Sequence, residues 1–397
     1  MGPVERRVVY LDHAATTTLR PEAADVWLQV SAEVGNPSSL HAAGRAARRV
    51  VEESRERAAA ALSIRPSEIV FTAGGTESDN LAVKGFAWAR GGRRAIVCSP
   101  IEHHAVLDPV EWLVEQQGFE VRYPAVDALG RVDLQSLEGL LDDDVALCSV
   151  MWANNEIGTV QPIEAIARSC REQAIPFHSD AVQALGMIPM NASLPGLTAL
   201  TLSGHKIGAP VGVGALVIDR DAVVAPLIHG GGQEREIRSG TVDAAGIAAF
   251  AVAVECAVAE QAILAARLID LRAMLIQGVL TTIPGTVLQG DPGIGVDERL
   301  PGNVAITFDG CEGDALLMLL DAAGIACSTG SACTSGVPEP SHVLLAMGVD
   351  AGTARGTLRF SLGRGSTEDD VEALLTALPS VVERARRAGR PRLAPRS

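Results

Sequence analysis

The chain has 397 residues, 47% hydrophobic but only 3% aromatic, with 40 glycines and a formal net charge of −15. That length suits a large domain with a smaller companion, its core built from Ala, Val, Leu and Ile, while the acidic balance excludes a nucleic-acid-binding body. The seven cysteines form no CxxC pair, which suits a reducing cytosol where a single thiol can be a catalyst.

In chain order, residues 8–11 read as a short strand and Pro21-Glu22 as a helix start. The cluster Gly35-Asn-Pro-Ser-Ser39 is a turn whose Ser38 or Ser39 can cap a helix running through Ala61. A strand at 69–71 leads into Thr72-Ala-Gly-Gly-Thr76 and a helix opening at Glu77. Strands at 95–98, 120–123, 145–151, 175–179, 199–202 and 215–218 then alternate with helices at 104–117 and 163–173, the signature of a largely parallel sheet. The alanine-rich stretch around 244–266 carries Glu255 and Glu260, so it reads as a long buried or interface helix and not as a membrane span. Residues 302–308, 314–323, 355–362 and a terminal helix at 367–387 have the texture of a smaller α+β unit. Asp12, His13, Arg20 and Glu22 interrupt any apolar leader, and a cytoplasmic location is expected. The expected division is 18–260 for the large domain and 1–17 with 261–383 for the small one. Residues 384–397 are expected to form a basic, disordered tail.

Ser203-Gly204-His205-Lys206 precedes a glycine-laced apolar run. A lysine entering such a run is costly to bury charged, so its pKa falls and a neutral amine becomes accessible. A neutral amine condenses with an aldehyde, which is how pyridoxal 5'-phosphate (PLP) is held. Ser203 and His205 can donate hydrogen bonds to a phosphate, as can the strand-to-helix junction at Gly75-Thr76, although a plain helix cap has the same look. Asp180 ends a strand with Gln183 three residues on. An acid there can keep a pyridine nitrogen protonated, with the amide reaching the phenolic oxygen; a helix cap is the alternative.

Glu102-His103-His104 follows another strand, where a histidine can stack on a flat ring and shuttle protons. His104 is assigned that role and His103 none; zinc is the rival, but adjacent histidines cannot easily face one metal. Cys333 sits among Gly, Ser, Thr and Pro, on an exposed loop where a thiolate can form and move. Arg359 lies inside an apolar strand and calls for an anionic partner, either a substrate carboxylate or an internal salt bridge.

These stretches, with Tyr10-Leu-Asp-His-Ala-Ala-Thr-Thr17, Asn154-Asn-Glu-Ile-Gly158, Arg238-Ser-Gly-Thr241 and Ser331-Ala-Cys-Thr-Ser335, resemble in order and spacing the cysteine desulfurases. The likeness is to the NifS/IscS branch of the class V aminotransferase fold and runs from about residue 8 to 380. The resemblance implies an α/β, fold type I, PLP-dependent transferase: a large domain with a mostly parallel sheet flanked by helices, plus a smaller α+β domain with the Cys333 loop. It implies a homodimer that converts L-cysteine to L-alanine.

By the same resemblance Lys206 carries the cofactor as a Schiff base and removes the α-proton, Asp180 pairs with the pyridine nitrogen, and Gln183 meets the phenolic oxygen. His104 stacks on the ring. Gly75, Thr76, Ser203, His205 and Thr241 hold the phosphate, Thr241 coming from the partner copy. Asn155 and Arg359 bind the substrate carboxylate, and Cys333 is the nucleophile that becomes a persulfide. No intrinsic metal is implied, though Cys333 can serve as a transient iron–sulfur ligand. The implied sulfur acceptors are an iron–sulfur scaffold, an apo-protein or a tRNA-thiolation enzyme, without direct nucleic-acid or membrane binding. A selenocysteine lyase or another class V β-eliminating enzyme is the same-fold alternative. Cys327, six residues before Cys333, is either inert or a redox partner.

Overall fold

The computed structural model describes residues 8–330 and 340–389. Cys333 and the end of the basic tail, 390–397, lie outside the described residues.

The strands are β1 (Val9–Tyr10), β2 (Ile69–Thr72), β3 (Ala95–Cys98), β4 (Glu120–Arg122), β5 (Val145–Ser149), β6 (Phe177–Asp180), β7 (Ala199–Ser203), β8 (Gly214–Ile218), β9 (Thr286–Gln289), β10 (Asn303–Phe308), β11 (Ile325–Ala326) and β12 (Thr357–Ser361). The helices are α1 (Pro21–Ser31), α2 (Ala42–Leu62), α3 (Gly75–Ala89), α4 (His104–Gln117), α5 (Leu134–Glu138), α6 (Ile163–Glu172), α7 (Ala244–Thr282), α8 (Gly313–Ala322), α9 (His342–Ala346), α10 (Ala351–Arg355) and α11 (Glu368–Gly389).

A seven-stranded sheet in the order β2-β8-β7-β6-β5-β3-β4 forms the centre. Every pairing is parallel except those of β8, which runs antiparallel to both β2 and β7. Strands β2, β3 and β5 to β8 are buried along their whole length, which their continuous apolar runs require of strands covered on both faces. One face packs Val70, Ile96 and Leu147 against Phe86 of α3 and Val106 of α4. The other packs Phe71, Val97 and Phe177 against α2, α6 and the first half of α7.

A second, antiparallel sheet β12-β10-β9 and the parallel pair β1-β11 build a smaller core with α8, α11 and the second half of α7. By length and composition α7 could cross a membrane. Here its apolar surface is divided between the two cores, changing over between Ala257 and Leu264.

Two local expectations are corrected. Neither Ser38 nor Ser39 caps α2: the helix starts at Ala42, and His41 caps it by accepting the Gly44 N–H at 3.2 Å. The terminal helix α11 runs to Gly389, so Arg384, Arg386 and Arg387 are helical, not part of a disordered tail. Arg386 anchors that last turn by donating to the carbonyls of Asp309 at 2.9 Å and Pro284 at 2.6 Å.

Candidate active site

Because β8 reverses twice, β2, β7, β6, β5 and β3 all point the same way. Their carboxyl ends share one edge of the sheet, where ligands bind in open α/β folds. The loops leaving these ends enclose a cleft of about 440 Å³. Its walls include Gly75, Thr76, His104, Asn155, Asp180, Gln183, Ser203, His205, Lys206 and Arg359, ten of the twelve site residues expected from the sequence. Of the other two, Thr241 is exposed in its own chain and does not line the cleft. Cys333 lies outside the described residues, but Ser328 and Gly330, where its segment departs, are in the cleft wall.

Lys206 follows β7 on a single turn of 3-10 helix. Its ammonium donates to the carbonyls of Ala14 and Ala15, each at 2.6 Å. Burial first, then the Arg359 charge, pulls its pKa down to about 8, against the opposing pull of Asp180 and Asp12. Gln183 Nε2 shares the Ala14 carbonyl at 2.9 Å. Asp180 closes β6, with Oδ1 accepting the Val182 N–H at 2.8 Å, and burial lifts its carboxyl to about 6.

Two further acids were not legible as site residues. Asp79 on α3 lines the cleft floor, is 1% exposed, and leaves Oδ1 without a hydrogen bond. Glu102 is fully buried; Oε1 accepts the Met151 N–H at 2.5 Å and Oε2 has no partner. Burial, reinforced by the Asp180 charge, raises both carboxyls well above the usual range. Three carboxylates so placed cannot all ionise without a cation among them. His178, on β6 behind them, is neutral: burial lowers its pKa to about 3, and it bridges Ser149 at 2.9 Å and Thr201 at 3.0 Å.

The adjacent histidines are sorted by the start of α4. His103 is the N-cap residue, its Nδ1 accepting the Ala105 N–H at 3.0 Å, so the neutral ring carries its proton on Nε2. The His103 ring faces the cleft, yet enough protein surrounds it that desolvation, then the Lys206 charge, lowers its pKa to about 4. His104 also lines the cleft. Its Nδ1 meets Asp108 at 2.9 Å, and its ring packs edge-on against His342. Both imidazoles line the cleft, and His103 is the one held by the helix start and influenced by the Lys206 charge. The cue in the sequence was the helix start itself, which ties the first histidine of the pair to the backbone.

The cleft fits a flat cationic ring with a phosphate tail. An acid that is buried but only weakly compensated stands at the strand edge, and the buried carboxyl of Asp79, its Oδ1 3.5 Å from His178 Nε2, is in the same wall. The α3 N-terminus, led by Gly74 at a φ of +144°, offers free N–H groups beside Thr76, Ser203 and His205. Gly75 keeps the helix end close to the turn after β6: a Cβ there would lie 3.1 Å from Val182 Cγ2, a contact that would push that side chain aside.

Comparison with known proteins agrees. A model of the class-V aminotransferases matches residues 9–374. An IscS-like cysteine desulfurase of Mycobacterium tuberculosis is 55% identical over 389 residues, covering 96% of this chain and 98% of that protein. The cysteine desulfurase IscS of Methanosarcina thermophila is 46% identical, covering 96% and 94%. Among solved structures, a NifS-like protein superposes with a TM-score of 0.87 at 37% identity, covering 95% of this chain and 99% of its own. SspA in complex with cysteine gives 0.76 at 33% identity, covering 89% and 98%.

Proposed function

The chain belongs to the class-V aminotransferase family, in its cysteine desulfurase branch, and on that premise we propose how its own residues divide the work. It is a PLP-dependent enzyme that converts L-cysteine to L-alanine and passes the sulfur to an enzyme thiol. The observation that carries this reading is the pairing of Lys206, poised near pH 8, with the buried acid Asp180 in one cleft.

Gly75, Thr76, Ser203 and His205 would hold the phosphate, Asp180 the ring nitrogen and Gln183 the phenolic oxygen, with His103 against the ring face. Bound there, PLP supplies an electron sink for the charge that develops at the substrate α-carbon. Lys206, neutral in a substantial fraction near pH 7–8, takes the α-proton at Nζ. Arg359 and Asn155 receive the substrate carboxylate and fix the α-carbon beside that amine. The Cys333 thiolate attacks the substrate sulfur: an S–S bond forms, the Cβ–S bond breaks, and its electron pair stays on Cβ to be protonated, giving alanine and a persulfide. Thr241, exposed in its own chain, would complete the phosphate site of the other copy in a homodimer. In this reading the enzyme is cytoplasmic and supplies sulfur to iron–sulfur cluster assembly, with tRNA thiolation a further outlet.

A visible spectrum and an alanine assay on wild type, Lys206→Ala and Cys333→Ser test the assignment. The wild type is yellow, Lys206→Ala lacks the Schiff-base band, and Cys333→Ser keeps its colour but makes little alanine. A wild type that cannot take up PLP overturns the reading.

A further inference from the structure

Asp12 is fixed in place beside Arg359 by the small core. Strand β1 pairs with β11, and Asp12 itself bridges Ser361, two residues beyond Arg359 on β12. The Tyr10 hydroxyl pins the following turn, its one hydrogen shared between the carbonyls of Asp12 at 3.1 Å and Thr16 at 3.0 Å. The Asp12 Oδ1 accepts from Arg359 Nη2 at 2.9 Å, while Arg359 Nη1 donates to the Asn155 carbonyl at 3.1 Å. Arg359 is 5% exposed, lines the cleft, and leaves Nε with no acceptor.

A guanidinium is a planar fork, so two fixed partners determine where its remaining hydrogens point. With one Nη1 hydrogen on a main-chain carbonyl and one Nη2 hydrogen on Asp12, three donors are left, Nε–H and one each on Nη1 and Nη2. Of these, Nε–H and Nη2–H are the two that can grip one carboxylate side-on. A buried N–H left without an acceptor is costly, and an arriving carboxylate relieves that cost. The Asp12–Arg359 ion pair and a substrate-binding role for Arg359 are thus compatible, each using different hydrogens of one side chain.

We propose that Asp12 is a positioning residue for substrate recognition, holding the Arg359 guanidinium with its Nε edge open to the α-carboxylate of the substrate. This rests on Arg359 being the carboxylate-binding group. Asp12 makes its direct contact with Arg359 and acts on Lys206 only through its charge, which helps hold that amine's pKa up. Its loss therefore shows first in substrate binding, and its effect on the amine is read separately, as a shift of the kcat–pH profile to lower pH.

The test is steady-state kinetics on PLP-loaded Asp12→Ala, Asp12→Asn and Arg359→Lys, with a spectral titration by the product L-alanine. Asp12→Ala should raise KM for L-cysteine about tenfold, weaken L-alanine by the same factor, and leave kcat within about twofold. Asp12→Asn keeps an oxygen for Nη2 and should rise only about threefold. A wild-type KM in Asp12→Ala, alongside a raised KM in Arg359→Lys, overturns the positioning role while sparing that of Arg359. An unchanged KM in Arg359→Lys overturns the carboxylate reading of Arg359 and this inference with it. If Asp12→Ala does not fold, Asp12→Ser, whose shorter side chain cannot keep the carboxylate contact to Nη2, takes its place, and a wild-type KM there overturns the proposal.

Discussion

The Lys206 ammonium donates to the Ala14 carbonyl at 2.6 Å, so the N-terminal turn holds the amine in the cleft. That turn reaches the large sheet from the small core, and Gln183 holds the same carbonyl from the other side at 2.9 Å. Burial, then the Arg359 charge, lowers the Lys206 pKa against the opposing charges of Asp180 and Asp12, and the balance falls at about 8 instead of the usual 10.5.

A pH profile of cofactor uptake follows. The neutral amine fraction of the stripped enzyme grows about tenfold per unit below pH 8 and levels off above it. The rate at which added PLP forms its Schiff-base band should do the same between pH 6.5 and 9. Because the folded pKa is the lower one, the folded chain binds fewer protons than the unfolded chain between about 8 and 10.5, and this lysine favours unfolding less as pH rises through that window. A midpoint near 10 would mean that burial does not set the lysine's reactivity.

Asp180 predicts the opposite dependence for stability. Its folded pKa, about 6, lies above the ordinary 3.8. The stripped protein therefore loses stability from this group as pH rises from about 4 through 6, where a buried carboxylate must ionise. A pyridinium beside it offsets that loss. The gap in melting temperature between PLP-loaded and stripped enzyme should widen from pH 5 to pH 7.5, and Asp180→Asn should flatten the dependence. A gap independent of pH in the wild type would contradict the assignment.

Alternating apolar strands and helices made the large domain legible, since each buried run of four or five residues marks a strand whatever its direction. Direction itself was hidden: Gly214–Ile218 reads like its parallel neighbours, yet β8 is antiparallel to both. At the site, Lys206, Asp180 and Arg359 stood out because a charge in an apolar run demands a partner. Asp79 and Glu102 did not, because their surroundings in the sequence are polar and their burial arises only when α3 and the β3–α4 turn close over the sheet edge. The choice between His103 and His104 depended on which residue the helix start engages, a matter of one position.

The two histidines give a direct comparison. His103→Ala should lower kcat at least a hundredfold and shift the cofactor absorption band, since general acid–base groups contribute about 10²–10⁴-fold. His104→Ala loses the exposed contact to Asp108, the edge of His342 and a piece of the cleft wall, and should stay within about threefold in kcat. The reverse ranking would restore His104 as the working imidazole.

Cys327 separates a packed thiol from a reactive one. It is 8% exposed, in the small core beside β1 and β12, and burial followed by the Asp12 charge pushes its thiol up to about 12. At pH 7.5 almost none of it is thiolate, and without thiolate there is neither nucleophile nor efficient disulfide exchange. In the native enzyme a maleimide or DTNB assay should leave Cys327 unmodified until denaturant is added, as mass spectrometry of its peptide would show. Cys327→Ser should retain alanine formation within about twofold and lose stability by about 1–2 kcal/mol, as a hydroxyl replaces a buried sulfur. Rapid native labelling of Cys327, or a persulfide found on it after L-cysteine is added, would instead make it a working partner in sulfur transfer.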